Sequence, residues 1–207
     1  CNDSTVAITT EQREKLADFL AAYEGGKYVG KIAPIRSVGV QGDNRSYKSL
    51  VVLGGGLPTN WDALFEVARA IPNNLSFINR VAYRVDSREP VTTLTCTPMH
   101  ICHETAEVLR EADAIVTGTV MNKKIAQCFA VLLPVSTDET SARPYSIVIR
   151  AVVTSDYMTA RAAVPGVHFP VEALESAAKQ IKQKLGDKVD MVLYDVTGKP
   201  PATIEWE

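Results

Sequence analysis

Four short stretches of this sequence carry residue types that could do chemistry. Cys96, His100, Cys102 and His103 put two thiols and two imidazoles close together. A structural zinc site draws its ligands from two separated pairs at short spacing. Here the ligands bunch in one place and no distant pair answers them, so no metal site is assigned and a buried thiol beside solvated histidines is expected. A Cys–His nucleophile would need a third group to orient its base, and no catalytic residue is assigned. Gly54-Gly55-Gly56 lacks the Lys-Ser/Thr that a phosphate-cradling Walker loop requires, and reads as a connection.

The other two stretches are more specific. In Gln41-Gly42-Asp43-Asn44-Arg45-Ser46-Tyr47 the Gly, Asp and Asn are explained by turn chemistry. Arg45 is not, and a guanidinium at a hairpin tip can present a fork to a phosphate or carboxylate. The ending Thr197-Gly198-Lys199-Pro200-Pro201-Ala202-Thr203-Ile204-Glu205-Trp206-Glu207 is too structured for a fraying terminus. Its prolines predict a stiff, extended segment that fixes Lys199 relative to Glu205. Trp206 supplies a large apolar anchor.

The elements that must position these groups follow from periodicity. A Thr cap and the spacing of Leu16, Phe19, Leu20 and Tyr23 predict a helix over 9–24, stopped at Gly25-Gly26. Two β-rich runs, at 35–40 and 50–53, flank the Gly/Asp/Asn turn as a hairpin. Asn60 caps a helix from Trp61 to Ile71, and 78–85 reads as a strand. The order then returns: strand 128–133, polar loop 136–144, strand 146–153, a helix with Pro170 at its first position, and strand 189–196. Val81-Ala82-Tyr83 and Val192-Leu193-Tyr194 close the two copies alike. The fold class is therefore α+β: two β-β-α-β repeats, about 35–85 and 128–196, forming mixed sheets with helices on one face. The other face must be solvated or buried by a partner. Between the copies, the connecting segment 86–127 holds a short strand at 92–95 and a helix over 103–114.

Composition excludes several classes. With 207 residues, 46% hydrophobic and 22% charged, the chain is globular rather than low-complexity. A net charge of −2 leaves no basic excess for a phosphate backbone, so no nucleic-acid partner is expected. No apolar run approaches the ~20 residues of a membrane span. Four cysteines do not make a disulfide scaffold at this length and read as reduced thiols of a cytoplasmic protein. The first residues are not a secretory leader and lack an initiator Met, so the chain reads as a piece of something longer.

The ending Tyr194–Glu207 closely resembles the extreme C-terminus of GMP synthases. Val38–Tyr47 and Arg150–Thr159 also resemble motifs of that family, in the family's order. The resemblance implies a C-terminal dimerisation domain of the long eukaryotic type over 35–207, preceded by an N-terminal helix and linker over 1–34. In that type an insertion produces the second β-β-α-β unit. It also implies a glutamine-dependent ligase in which a glutaminase domain releases ammonia and an ATP-pyrophosphatase domain adenylates XMP. Ammonia then displaces AMP to give GMP. Those domains, with ATP and Mg2+, would lie upstream in the same polypeptide; their motifs are absent here, so this piece alone is expected to be inactive and without a cofactor.

Residue by residue, the resemblance implies that Arg45 and Lys199 contact XMP at its phosphate. Gln127, in Lys124-Ile125-Ala126-Gln127, would reach the same nucleotide, and Ile204 and Glu205 would line the site. Such residues hold the acceptor in attack geometry rather than moving protons. The implied partners are XMP or GMP and a second copy of the chain, in the cytosol. Many family members carry Arg where Met191 stands and Ser where Gly198 stands. The segment 88–122 resembles nothing quotable. The alternative is a purely structural homodimerisation module that binds no nucleotide on its own.

Overall fold

A computed structural model describes residues 6–23, 27–41 (without the Gln41 side chain), 44–55, 58, 60–137, 140 and 142–206. Thr9 starts α1 (Thr10–Ala22) with a capping box: its hydroxyl accepts the Gln12 N–H at 3.2 Å, and the Gln12 side chain accepts the Thr9 N–H at 3.0 Å. The predicted stop at Gly25-Gly26 lies outside the described residues, as does the Gly42-Asp43 turn. The hairpin strands are longer than periodicity predicts, β1 (Val29–Gln41) and β2 (Asn44–Gly54). β1 thus begins inside the stretch read as linker, and Leu16 and Leu20 of α1 join the main core.

Asn60 caps α2 (Trp61–Asn74) by accepting the Ala63 N–H at 3.1 Å. The helix runs past Ile71, with Pro72 inside its last turn. β3 (Ile78–Arg84) returns parallel to β2. The predicted strand at 92–95 is instead β4 (Thr95–Cys96), and α3 (His103–Val120) continues well beyond Ala114 because Val116 and Val120 extend its buried face. Repeat two consists of β5 (Gln127–Leu133), β7 (Tyr145–Val153), α4 (Val171–Leu185) and β9 (Val189–Asp195). Pro170 is the N-cap of α4 rather than its first residue. The polar loop at 136–144 begins with a strand, β6 (Val135–Ser136), paired with β4; β8 (Arg161–Ala162) adds to β7. No helix among the described residues is long and apolar enough to cross a membrane.

Both repeats share one mixed sheet, ordered β1-β2-β3-β9-β7-β5, rather than separate sheets. β3 and β9 meet antiparallel at its centre, with Tyr83 opposite Tyr194. The halves are related across this seam. Val85 N–H donates to Val192 O at 2.9 Å and Val196 N–H to Val81 O at 3.1 Å. Val192 N–H donates to Asp86 Oδ1 at 3.1 Å, and Val81 N–H to Thr197 Oγ1 at 2.7 Å.

Strand alternation separates two layers. Val51, Val81, Tyr83, Ile147, Val192 and Tyr194 join the helices in one continuous core. Leu50, Val52, Ala82, Val148, Met191 and Leu193 form a second apolar cluster on the other face, which contains no helical residue. The helices thus lie on one face, as expected. The opposite face is neither solvated nor left for a partner, because these six side chains are 0% exposed. The chain closes it with Val91 and Leu94 from the segment after β3, Val135, and Trp206 from the tail. The cause is a sheet apolar on both sides, which must be covered twice.

Candidate functional site

The C-terminal tail does not run extended. Its prolines serve a turn: Ala202 N–H donates back to Gly198 O at 3.1 Å. On one side Lys199 pairs with Ala160 through both backbone bonds, at 2.8 and 3.1 Å. On the other, Val40 N–H donates to Pro201 O at 2.8 Å and Gly39 bridges Ala202. Gly39 has to be glycine, because a Cβ there would lie 2.4 Å from Pro201 O. The tail is thereby inserted between the Arg45 hairpin and the loop at 154–160.

Beyond the turn, two buried arginines hold the backbone. Arg80 on β3 and Arg150 on β7 flank Asp195 on β9, and all three side chains are 0% exposed. Arg80 Nη1 lies 2.7 Å from one Asp195 oxygen and Arg150 Nη1 3.3 Å from the other. The remaining donors reach the tail. Arg80 Nη2 donates to Thr203 Oγ1 and Glu205 O, both at 3.1 Å, and to Val38 O at 3.0 Å. Arg150 donates to Thr197 O at 2.6 Å, Thr203 O at 3.1 Å and Ile204 O at 3.1 Å. The Arg80 guanidinium also stacks on the Trp206 ring, 4.4 Å from its centroid.

Electrostatics follows from this packing. Burial alone would raise the Asp195 carboxyl, but Arg150, Arg80 and the Thr197 N–H outweigh it and hold the group below its ordinary value. Burial pulls Arg80 down to about 10 against the attraction of Asp195, which leaves it charged at neutral pH. Neither arginine was singled out as a site residue from the sequence. The available signal was a guanidinium in the middle of each of two strands that are apolar on both faces.

The grip delivers Glu205 to a shallow pocket of about 450 Å³ lined by Met121, Gln127, Cys128, Phe129 and Glu205. Two of the expected binding residues, Gln127 and Glu205, thus meet across one cavity. Ile204, expected to line the site, does not line this pocket; its carbonyl accepts from Arg150 Nε. Arg45 and Lys199 do not line the pocket. Arg45 is exposed on β2 opposite Val40, the residue bonded to Pro201. Lys199 Nζ donates to Tyr157 O at 2.6 Å, tying the tail to a loop that exposes Tyr157 and Met158. Met191 is fully buried among apolar neighbours. A Cβ at Gly198 would sit 3.3 Å from Ala160 O, a tight fit for any side chain.

The other chemical candidates lead elsewhere. Burial, reinforced by Asp113, pushes the Cys128 thiol up to about 12, so it lines the pocket as a neutral thiol. His100 and His103 are solvated as expected, but Cys102 is exposed and Cys96 only half-buried. Among the described residues, no group of three or more His, Cys, Asp or Glu side chains is placed to hold a metal ion.

A family model described as the GMP synthase C terminal domain matches residues 115–206, from within α3 through Trp206. The chain carries a GMP synthase C-terminal domain. The clamp, the pocket and the tail turn all lie largely within that domain. Similarity to GMP synthases also extends beyond it. A probable glutamine-hydrolyzing GMP synthase of Caenorhabditis elegans is 35% identical over 99% of this chain and 29% of its own length. A counterpart from Leptospira interrogans is 35% identical over 96% of the chain and 32% of its own length. A GMP synthase of Hahella chejuensis is 44% identical but aligns with only 50% of the chain. The chain spans about a third of the length of the first two relatives.

Proposed function

We propose that this chain is the XMP-binding and dimerisation portion of a GMP synthase, a glutamine-dependent carbon–nitrogen ligase of purine nucleotide biosynthesis. The observation that carries the reading is the meeting of Gln127 and Glu205 at one pocket, with the tail backbone at Ile204 and Glu205 held by two buried arginines. Gln and Glu supply directional hydrogen bonds to a sugar or base. Arg45, on the hairpin bonded to one edge of the tail, and Lys199, on the tail itself, supply the cations a phosphate needs.

In this reading the chain performs no bond-making itself. It holds XMP while upstream glutaminase and ATP-pyrophosphatase domains of the same polypeptide, with ATP and Mg2+, carry out ammonia release and adenylation. This piece alone is therefore inactive. The working form is a cytosolic homodimer whose contact uses a surface other than the sheet face closed by the chain's own tail.

The decisive experiment compares XMP binding and amination in the intact protein with those of Lys199→Ala. A charge-assisted phosphate contact is equivalent to roughly ten- to a hundredfold in affinity, so the XMP Michaelis constant should rise by that factor. Glutamine hydrolysis should keep its chemistry. An intact protein that binds no XMP, but still forms a dimer by light scattering, would leave the purely structural module as the answer.

A further inference from the structure

We propose that Arg80, Arg150 and Asp195 are positioning residues that set Glu205 at the pocket shared with Gln127. This rests on the nucleotide-binding reading above. The clamp grips mainly backbone: its donors end on the carbonyls of Thr203, Ile204 and Glu205, with the Thr203 hydroxyl as a further acceptor of Arg80. Such a grip fixes the path of the chain up to Glu205, which meets the pocket.

A stabilising role alone explains this arrangement poorly. Buried ion clusters are often matched or bettered in stability by apolar side chains of similar volume. This cluster also leaves Arg80 Nε and Trp206 Nε1 buried without a hydrogen-bond partner, which costs free energy.

The molecule contains its own control. The offset that places Val81 on Val192 also aligns Tyr83-Arg84-Val85-Asp86-Ser87-Arg88-Glu89-Pro90-Val91-Thr92-Thr93-Leu94 with Tyr194-Asp195-Val196-Thr197-Gly198-Lys199-Pro200-Pro201-Ala202-Thr203-Ile204-Glu205. The segment after β3 is thus a counterpart of the tail, lying on the same sheet face. Beneath it Met191 occupies the place of Arg80, and the strand register puts Gly54 in the place of Arg150. Leu94 stands where Glu205 does. In that copy Val91 and Leu94 join the same apolar cluster as Leu50 and Met191, and its ion pair, Arg84 Nε to Asp86 Oδ1 at 3.1 Å, joins two side chains rather than gripping the carbonyls of the stretch. Covering the sheet needs no guanidinium grip on the backbone, so that grip serves what only the second copy does.

The test uses the intact protein that carries this chain. XMP affinity, the Michaelis constant and turnover of amination, the unfolding midpoint, and amide exchange over 202–206 are compared for the unaltered protein, Arg150→Lys, Thr203→Val and Leu94→Ala. Arg150→Lys keeps a cation beside Asp195 but loses the fork to the tail; Thr203→Val loses one acceptor of Arg80. Both should speed tail exchange and weaken XMP binding about tenfold or more, the equivalent of one charge-assisted bond, with turnover at saturation nearly kept. Leu94→Ala should lower the unfolding midpoint while leaving XMP affinity unchanged. Faster tail exchange with unchanged XMP affinity overturns the proposal, as does loss of XMP affinity in Leu94→Ala in proportion to its lost stability. If Arg150→Lys fails to fold, Thr203→Val, at a half-buried position, decides by the same criteria. An unaltered protein that does not bind XMP overturns the nucleotide reading itself, before any variant is compared.

Discussion

The stretches after β3 and after β9 lie on one face of one sheet and descend from the same local pattern, yet they are held by different forces. After β3, Val91 and Leu94 pack on Leu50 and Met191, and a Cβ at Gly54 would come within 3.0 Å of Val91. After β9, the grip is two guanidiniums, one carboxylate and the carbonyls of the tail. Apolar cover tolerates small shifts in position, because dispersion and burial are non-directional. Hydrogen bonds from a planar fork do not. The first stretch therefore serves the core, and the second serves placement.

The largest effect that could break this comparison comes from Asp195→Ala. It leaves two fully buried guanidiniums facing each other without a counter-charge. Removing one partner of a buried ion pair costs about 3–5 kcal/mol, so the urea midpoint should fall steeply. A loss below about 1 kcal/mol, the scale of an exposed pair, would mean that water already reaches the cluster.

A smaller loss is expected from Leu50→Ala, beneath the apolar copy. Truncating a fully buried leucine costs about 3 kcal/mol, through lost burial and the cavity left behind. The contrast is sharpened by XMP affinity, which should survive Leu50→Ala. If it falls, the two stretches are coupled and the division of labour fails.

The mildest perturbation is acid. Asp195 has a folded pKa held below its ordinary value by Arg150 from β7, Arg80 from β3 and the Thr197 N–H, against the opposing effect of burial. A lowered acid contributes stability that is fully present above its unfolded value of about 4 and is lost as pH falls through the folded value. Amides of 203–206 should therefore begin to exchange on acidification below pH ~4 before those of 92–95, and Asp195→Asn should remove the difference. Simultaneous release of both stretches would show that the clamp is not what titrates.

Much of this was legible in the sequence, and the misreadings have physical causes. The repeats could be read because each hairpin, cap and helix carries local signals, such as Thr9 with Gln12 and Asn60 before Trp61. Gln127 and Glu205 could be placed at one site only through family resemblance; nothing local links residues so far apart. The covered sheet face was missed because its lid comes from loops, and loop residues such as Val91 and Leu94 carry no periodicity. The tail was misjudged as extended because proline's fixed φ suits a turn equally well. Arg80 and Arg150 stayed inconspicuous since a strand arginine is ordinarily solvated, and burial becomes evident only when Asp195 is brought alongside.

Only three residue pairs join β3 to β9, whereas β5 follows β7 along its whole length. Each half closes ladders between strands near one another in sequence, at modest loop entropy. The seam and its fastenings join distant positions, 116 apart for Val81 and Thr197, and such long-range closure is the slow part of folding. The tail then lies across both halves, taking Arg80 from one and Arg150 from the other. Until the halves have met, Ile204 and Glu205 have no fixed address. The pocket is thus a report that assembly is complete, because Glu205 reaches Gln127 only once both arginines hold the tail.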